Sequence, residues 1–211
     1  IYRTMQQLTR ERSQLIDEKV VIKNQLHAEN AEAKPNKKSI DRCKKRLALI
    51  EKQVKEIIEE ISELVRTDEE VQRIILLICS ITGIGILTAA TVLGETNGFE
   101  LIRNKRQLTS YAGLDIKEKQ SGSSVKGKPI ISKKGNKHLR KAMHLPALSA
   151  IKHDERFRAI FARIVSKHGI KMKAAVAVQR KLLEMIYTIY KTGVIYDKEY
   201  FKKYNEVVEV I

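Results

Sequence analysis

The sequence predicts a mainly α protein. It reads as long antiparallel coiled-coil helices followed by a compact helical domain with a helix-hairpin-helix-like motif and a basic Gly/Ser loop. Three observations carry this prediction. Trp is absent while Pro occurs three times and Gly ten times in 211 residues, a balance that favours helix over a β-sandwich. Apolar residues alternate by three and four over much of the first 79 positions, the period of a helix seam. Beyond residue 80 that texture gives way to an apolar-Gly-apolar-Gly turn and short, capped helical stretches.

The elements follow in order. Residues 3 to 31 read as a first helix through Met5, Leu8, Leu15, Ile22 and Leu26, with Arg12 and Lys19 filling two seam positions. Pro35 and Asn36 break the chain. A second helix is expected from 37 to 79. Its seam comprises Ile40, Cys43, Leu47, Ile50, Val54, Ile57, Ile61, Leu64, Val71, Ile75 and Ile78, with Asp68 the only lapse. A narrow apolar stripe of that length must be covered by another helix. The turn at 32–38 lets the first helix fold back, and the unequal length of the two stripes points to a homo-oligomer through this region. Residues 1–79 are thus expected as a coiled-coil or oligomerisation region, 80–196 as the second domain and 197–211 as a docking helix or tail.

In "CSITGIGILTAATVLGE", Gly83 and Gly85 flank Ile84 between apolar residues. This resembles a helix-hairpin-helix motif, whose glycines permit a tight turn. Amides near Ile86–Thr88 would then open the next helix toward a phosphate. Asn104 caps a short helix through Tyr111, closed by Gly113. A brief β-hairpin is expected between "GLDIKEK" and "KPIIS". Asn136 caps a helix carrying Leu139, Met143, Leu145 and Leu148, bent by Pro146. Two more helices span about 154–167 and 171–192, the latter apolar through Met172, Val176, Leu183, Ile186 and Ile189–Tyr190.

Charge narrows the function. The net charge is +16, which calls for a polyanionic partner, usually nucleic acid. Residues 101 to 150 hold twelve Lys and Arg against Asp115 and Glu118. That excess surrounds "KQSGSSVKGKPIISKKG" (119–135), a stretch too long and too polar to be an ordinary connection. The chain has no run of 18 apolar residues, so no membrane span is expected, and it reads as cytoplasmic and nucleoid-associated. Cys43 and Cys79 lack ligand spacing and read as reduced thiols.

Catalytic classes separate on residue types. The five His are scattered, with no Cys/His ligand spacing. His138, His144 and His153 fall on different helix faces, which suits surface or phosphate-contacting roles. A two-metal nuclease needs several convergent carboxylates, and 101–150 has only two. No metal or cofactor is therefore expected on this chain. A serine flanked by glycine and ringed by Lys and Arg could attack a phosphodiester while the cations stabilise the developing charge.

The series "ITGIGILTAATVLGE", "YAGLDIKEKQSG" and "IISKKGNKHLRKAM" resembles the C-terminal domain of the insertion-sequence one-ten type transposases (also labelled one-sixteen and nine-oh-two). The resemblance spans about 78 to 150, and the preceding helices resemble the coiled-coil insertion of the same proteins. It implies a bacterial or archaeal mobile-element recombinase that cleaves and rejoins DNA through a serine–DNA phosphodiester. Such proteins work as oligomers guided by a structured RNA. Position for position, Ser121 matches the nucleophile, with Ser123 and Ser124 as neighbours one slip of register could exchange. Lys133, Gly135, Asn136 and Arg140 match the motif that follows. Phosphate contact is expected of Lys133 and Arg140, and turn and cap of Gly135 and Asn136. Gly83, Gly85, Lys126, Lys128, Lys134 and Lys137 complete the expected nucleic-acid surface. The family usually has Pro where this chain has Thr82.

The resemblance also implies a RuvC-like domain with four metal-holding acidic residues. This chain begins in the coiled coil, so Mg2+ is expected only through that missing domain, and the fragment is expected to bind DNA and be inactive alone. Two other readings remain open at this stage: a helix-hairpin-helix module that binds nucleic acid without chemistry, and a coiled-coil adaptor whose charge is incidental.

Overall fold

The computed structural model describes residues 1–117, 120–121, 125–126 and 130–199, and among them the fold is mainly α. Helices α1 (Tyr2–Ala31) and α2 (Lys37–Arg66) fold back on each other as an antiparallel hairpin. Asn36 sets the corner. Its side chain accepts from the amides of Lys38 and Ser39, and its own amide donates to Glu29 Oε1 at 2.9 Å. Further in, Lys19 pairs with Glu51 at 2.8 Å, and Arg46 donates to Gln25 at 3.2 Å. Ile22, Cys43 and Ile50 bury themselves between the helices with Leu15, Leu26, Leu47 and Val54 around them. The two stripes read from the sequence therefore cover each other within one chain. Val20, Val21 and Leu49 stay more than half exposed.

The seam expected as one helix from 37 to 79 is two helices. α2 ends at Arg66, and α3 (Glu69–Cys79) starts after Asp68, whose extended backbone and side chain cap the Val71 amide at 3.0 Å. The lapse at Asp68 is thus an N-cap. An aspartate placed there satisfies an orphan amide better than it continues a helix.

The remaining elements are α4 (Ile86–Thr96), α5 (Lys105–Tyr111), β1 (Ile116–Lys117), β2 (Gln120–Ser121), β3 (Val125–Lys126), β4 (Ile130–Ile131), α6 (Lys137–Ala142), α7 (His144–His153), α8 (Glu155–His168) and α9 (Lys171–Thr192). Pro146 does not bend a single helix. The chain breaks at Met143, and Pro146 sits in the first turn of α7, where its missing N–H costs nothing. That break resets the helical phase. Leu139 and Met143 are buried as expected, but Leu145 and Leu148 face outward, Leu145 at 73% exposure.

One core runs through the molecule. Met5 and Leu8 of α1, Ile57, Ile61 and Val65 of α2, and Ile75 and Ile78 of α3 join Leu93, Leu108, Leu139 and Met143 against Val178, Leu182 and Ile186 of α9. The change of texture at residue 80 therefore marks a change of element length, with packing continuous across it. The buried stripe of α9 is Val178, Leu182, Ile186 and Ile189, while Met172 is exposed. Phe99 fills the floor beneath α4, its ring edge-on to Tyr187 at 5.4 Å and tilted against Tyr190 at 4.8 Å.

The α3–α4 turn is seated on α7. At Gly83 φ is +90°, and a Cβ would lie 2.7 Å from the Pro146 carbonyl oxygen and 3.1 Å from the Ala150 amide. Only glycine meets both demands. Past α9, Tyr196 ties the chain back: its amide donates to Ser80 Oγ and its hydroxyl donates to Asp154 Oδ2, each at 2.9 Å. Burial, helped by that carboxylate, pushes the Tyr196 hydroxyl up to about 12. Most of the element expected at 197–211 lies outside the described residues.

Candidate nucleic-acid interface

The described residues of the Gly/Ser stretch form two short antiparallel strand pairs. Ile116 faces Ile131 and Lys117 faces Ile130; Gln120 faces Lys126 and Ser121 faces Val125. The ribbon expected between "GLDIKEK" and "KPIIS" is found in the first pair. Ser121 is the last residue of β2, while Ser123, Ser124 and Lys128 lie outside the described residues.

Two short segments clamp the base of the ribbon. Gly113, at φ +66°, closes α5, and its carbonyl accepts the Lys133 amide at 3.1 Å. The Ser132 amide donates to the Asp115 carbonyl at 2.9 Å, and its hydroxyl to Asp115 Oδ1 at 2.6 Å. The Asn136 amide donates to the Tyr111 carbonyl at 2.8 Å. Gly135 runs directly over this crossing, so that a Cβ there would be 2.5 Å from Tyr111 O and 2.6 Å from Gly113 N. Both obstacles are backbone and cannot swing aside. Gly135→Ala is expected to cost about 1–3 kcal/mol through overpacking, seen as a lowered thermal midpoint and faster amide exchange at Lys133 and Asn136.

Asn136 has two jobs. Its Oδ1 caps α6 through the amides of His138 and Leu139, at 2.9 and 3.1 Å. Its Nδ2 donates to Glu95 Oε2 at 2.6 Å. Glu95 is the centre of a network not apparent from the sequence. Its side chain is fully buried, and it also accepts Arg10 Nε at 2.7 Å, Arg10 Nη2 at 2.8 Å and Gln6 Nε2 at 3.3 Å. Its backbone carbonyl accepts the Tyr111 hydroxyl at 2.9 Å. Burial pushes the Glu95 carboxyl up, but hydrogen bonds from Arg10 and Asn136 outweigh it and hold the group below the usual carboxylate range. With four donors on two oxygens it is a structural anion, unsuited to metal or to base catalysis. The sequence signal was a lone carboxylate on an apolar helix, in "TVLGE"; its partner stands 85 residues away.

The other expected residues divide. Lys133, Lys134 and Lys137 are exposed around the ribbon base, and Lys126 lies on β3 opposite Gln120. Arg140 is turned inward, donating Nη1 to the Ala112 carbonyl at 2.8 Å, so part of its guanidinium serves the clamp. Gly83 and Gly85 are not in the clamp; they shape the turn on α7. There the Thr88 amide bonds the Gly85 carbonyl at 3.0 Å, which leaves Ile86 and Leu87 as the outermost amides of α4. Thr82, where the resemblance leads one to expect Pro, buries its hydroxyl without a hydrogen-bond partner. His144 Nδ1 sits 3.0 Å from Gln179 Nε2. Burial lowers His138, Glu95 pulls it back up, and Arg10, Lys137 and Lys141 add to the lowering, so the net shift is downward. Among the described residues no group of three or more His, Cys, Asp or Glu could hold a metal ion, and no helix is long and apolar enough to cross a membrane.

The site is thus a helical core that clamps a lysine-bearing β-ribbon between a Tyr-Ala-Gly-Leu turn and a Lys-Lys-Gly-Asn cap. Residues 76–162 match the model of the Transposase IS116/IS110/IS902 family. The match encloses the 78–150 span on which the resemblance was read. The chain is 29% identical over 140 residues to the Pilin gene-inverting protein of Moraxella bovis, covering 66% of this chain and 44% of that protein. It is 31% identical over 126 residues to the protein of the same name from Moraxella lacunata, covering 58% and 38%. Against an insertion element IS110 uncharacterized 43.6 kDa protein of Streptomyces coelicolor it is 27% identical over 118 residues, covering 56% and 29%. The chain thus spans less than half the length of the curated relatives it matches.

Proposed function

We propose that this chain is the DNA-handling part of an insertion-sequence recombinase and that Ser121 is its nucleophile toward a phosphodiester. The observation that carries the reading is the ribbon: Ser121 lies on β2 of a lysine-rich segment whose base is fixed by Gly113, Lys133, Gly135 and Asn136. A fixed base suits a strand serine that must meet a DNA backbone. Lys126, Lys133, Lys134 and Lys137 supply positive charge for phosphate contacts, which position DNA without reading its sequence. The α3–α4 turn, read as a helix-hairpin-helix, supplies backbone amides to a second phosphate stretch. The names of the relatives, which invert a pilin gene or belong to an insertion element, favour a DNA substrate.

In the reaction so read, Ser121 Oγ loses its proton and forms a bond to phosphorus while the bond from phosphorus to the departing DNA oxygen breaks. A serine–DNA phosphodiester results, and attack by another strand's hydroxyl reverses the step. The chain's described residues do not fit a divalent metal site, so on this reading Mg2+ enters through acidic residues of a RuvC-like domain outside this chain. A structured guide RNA and self-association through the α1–α2 hairpin belong to the same proposal, the latter supported by the exposed Val20, Val21 and Leu49. The test is Ser121→Ala in the intact protein, read as loss of strand exchange with DNA binding retained. DNA binding itself is checked by salt titration. Four to six phosphate contacts are expected to give a slope of log affinity against log salt of about −4 to −5, and a flat response would leave only an adaptor.

A further inference from the structure

Away from the ribbon, α1, α4 and the α6–α7 junction enclose a cleft of about 500 Å³, within the size range of small-ligand sites. It stays open because the facing positions are small: Ser13 on α1, Thr88 and Thr91 on α4, and Ala142 at the end of α6. Its apolar lining is Ile16, Leu87, Leu145 and Pro146. Most of its polar lining groups are spoken for. Thr9 and Thr91 bond backbone carbonyls of their own helices, Lys141 bonds Ser13 Oγ and Asp17, and Arg10 is held by Glu95. Arg12 differs. It lines the cleft, and its Nε is buried without a hydrogen-bond partner.

A buried cationic donor with no partner carries a full desolvation penalty that an anion would relieve. The geometry points to an unpaired nucleotide of a nucleic-acid strand as the ligand, its phosphate on Arg12 and its base against Leu87, Leu145 and Pro146. A ligand with one anionic end and one flat apolar face matches a lining that mixes Arg12 with Leu87, Leu145 and Pro146, and the chain's +16 charge selects nucleic acid among such ligands. A base out of its stack is held by apolar contact on its faces. This site is separate from the Ser121 chemistry. Among the described residues it meets the ribbon base at Asn136, which bonds two residues of the cleft lining, the Glu95 carboxylate and the His138 amide.

The experiment is binding of a labelled single-stranded oligonucleotide to the full chain, with three variants. Arg12→Gln is expected to weaken binding about tenfold, the loss of one charge-assisted contact, while the melting temperature of the free protein does not fall, because its buried Nε has no hydrogen bond to lose. Lys45→Gln removes the same charge from α2. Its neighbour Arg46 reaches Gln25, thirteen residues along α1 from Arg12 or about 20 Å, so less than a twofold effect is expected. Leu145→Glu, at the exposed rim, is expected to weaken binding to the normal strand and much less to an abasic strand. Equal effects of Arg12→Gln and Lys45→Gln would reduce the cleft to general charge and overturn the inference. So would a Leu145→Glu effect that ignores the base. A nucleoside monophosphate that displaces the strand as well as an unlabelled strand does would make the occupant a free nucleotide instead. If Arg12→Gln is silent while Ser121→Ala still abolishes strand exchange, the cleft inference falls and the recombinase reading stands.

Discussion

Ser121→Ala in the intact protein is expected to reduce strand exchange by at least about 10³-fold, the scale on which loss of a covalent nucleophile is felt. Two readouts must move together. The covalent protein–DNA species trapped on denaturation should vanish, and DNA affinity should change less than twofold, because a serine hydroxyl adds little to a surface governed by lysine–phosphate contacts. The backbone register excludes a trivial folding explanation for the loss. Ser121 pairs with Val125 on an outer ladder, and the clamp is made by the backbones of Gly113, Lys133, Asn136 and Tyr111. Retained strand exchange in the alanine variant would transfer the role to Ser123 or Ser124, which the corresponding alanine replacements would reveal.

The second large effect is expected at Glu95. Glu95→Ala strips Arg10, Gln6 and Asn136 of a common acceptor and leaves a hole between α1, α4 and α6. A broken buried ion pair costs about 3–5 kcal/mol. Arg10 is 43% exposed and can turn to water, so about 2–3 kcal/mol is the expected loss, or roughly 5–10 °C in thermal midpoint for a chain of this size. The pH dependence carries more information. In the native protein the Glu95 carboxyl sits below its usual 4.5, so its contribution is complete above that pH and is lost as pH falls through the lower folded value. In Arg10→Ala the burial effect loses its main opponent and the carboxyl should move upward. Folding of the variant then takes up a proton, and its deficit should be greatest at neutral pH and shrink as the pH is lowered toward 5. Urea unfolding of both proteins at pH 7 and pH 5 checks this. A deficit that does not change with pH would mean that Arg10 acts by packing alone.

Both predictions fall on residues of different legibility. Ser121 was nominated by a local motif, Ser-Gly between lysines followed at fixed spacing by "IISKKGN", through its resemblance to a family pattern. The hairpin was visible for the same reason, and its register, Ile116 opposite Ile131, came from the structure. Asn36, Asn104 and Asn136 announced helix starts correctly because a cap is a contact within three residues. Glu95 could be noticed only as an oddity, a charge on an apolar helix. That it is satisfied by Arg10 depends on a contact between elements 85 residues apart. Arg140 was misjudged in part for the same reason. A basic residue beside a lysine run looks like a phosphate ligand, and nothing local shows that it reaches the Ala112 carbonyl.

The sequence by itself determined the helical periods, the caps, the fold-back at Pro35–Asn36, the strand pairing around residues 116–131 and the concentration of positive charge. All of these rest on interactions within a few residues, or on composition. Only the tertiary structure decided that Asp68 starts a new helix and Met143 ends one, that Leu145 faces outward, and that α1 crosses α4 to leave a cleft beside Arg12. It alone joined Arg10, Glu95, Tyr111 and Asn136 into one network. The physical reason is that long-range packing chooses among locally equivalent options: a helix can continue or be capped, and a cation can face water or a carbonyl, at nearly equal local cost.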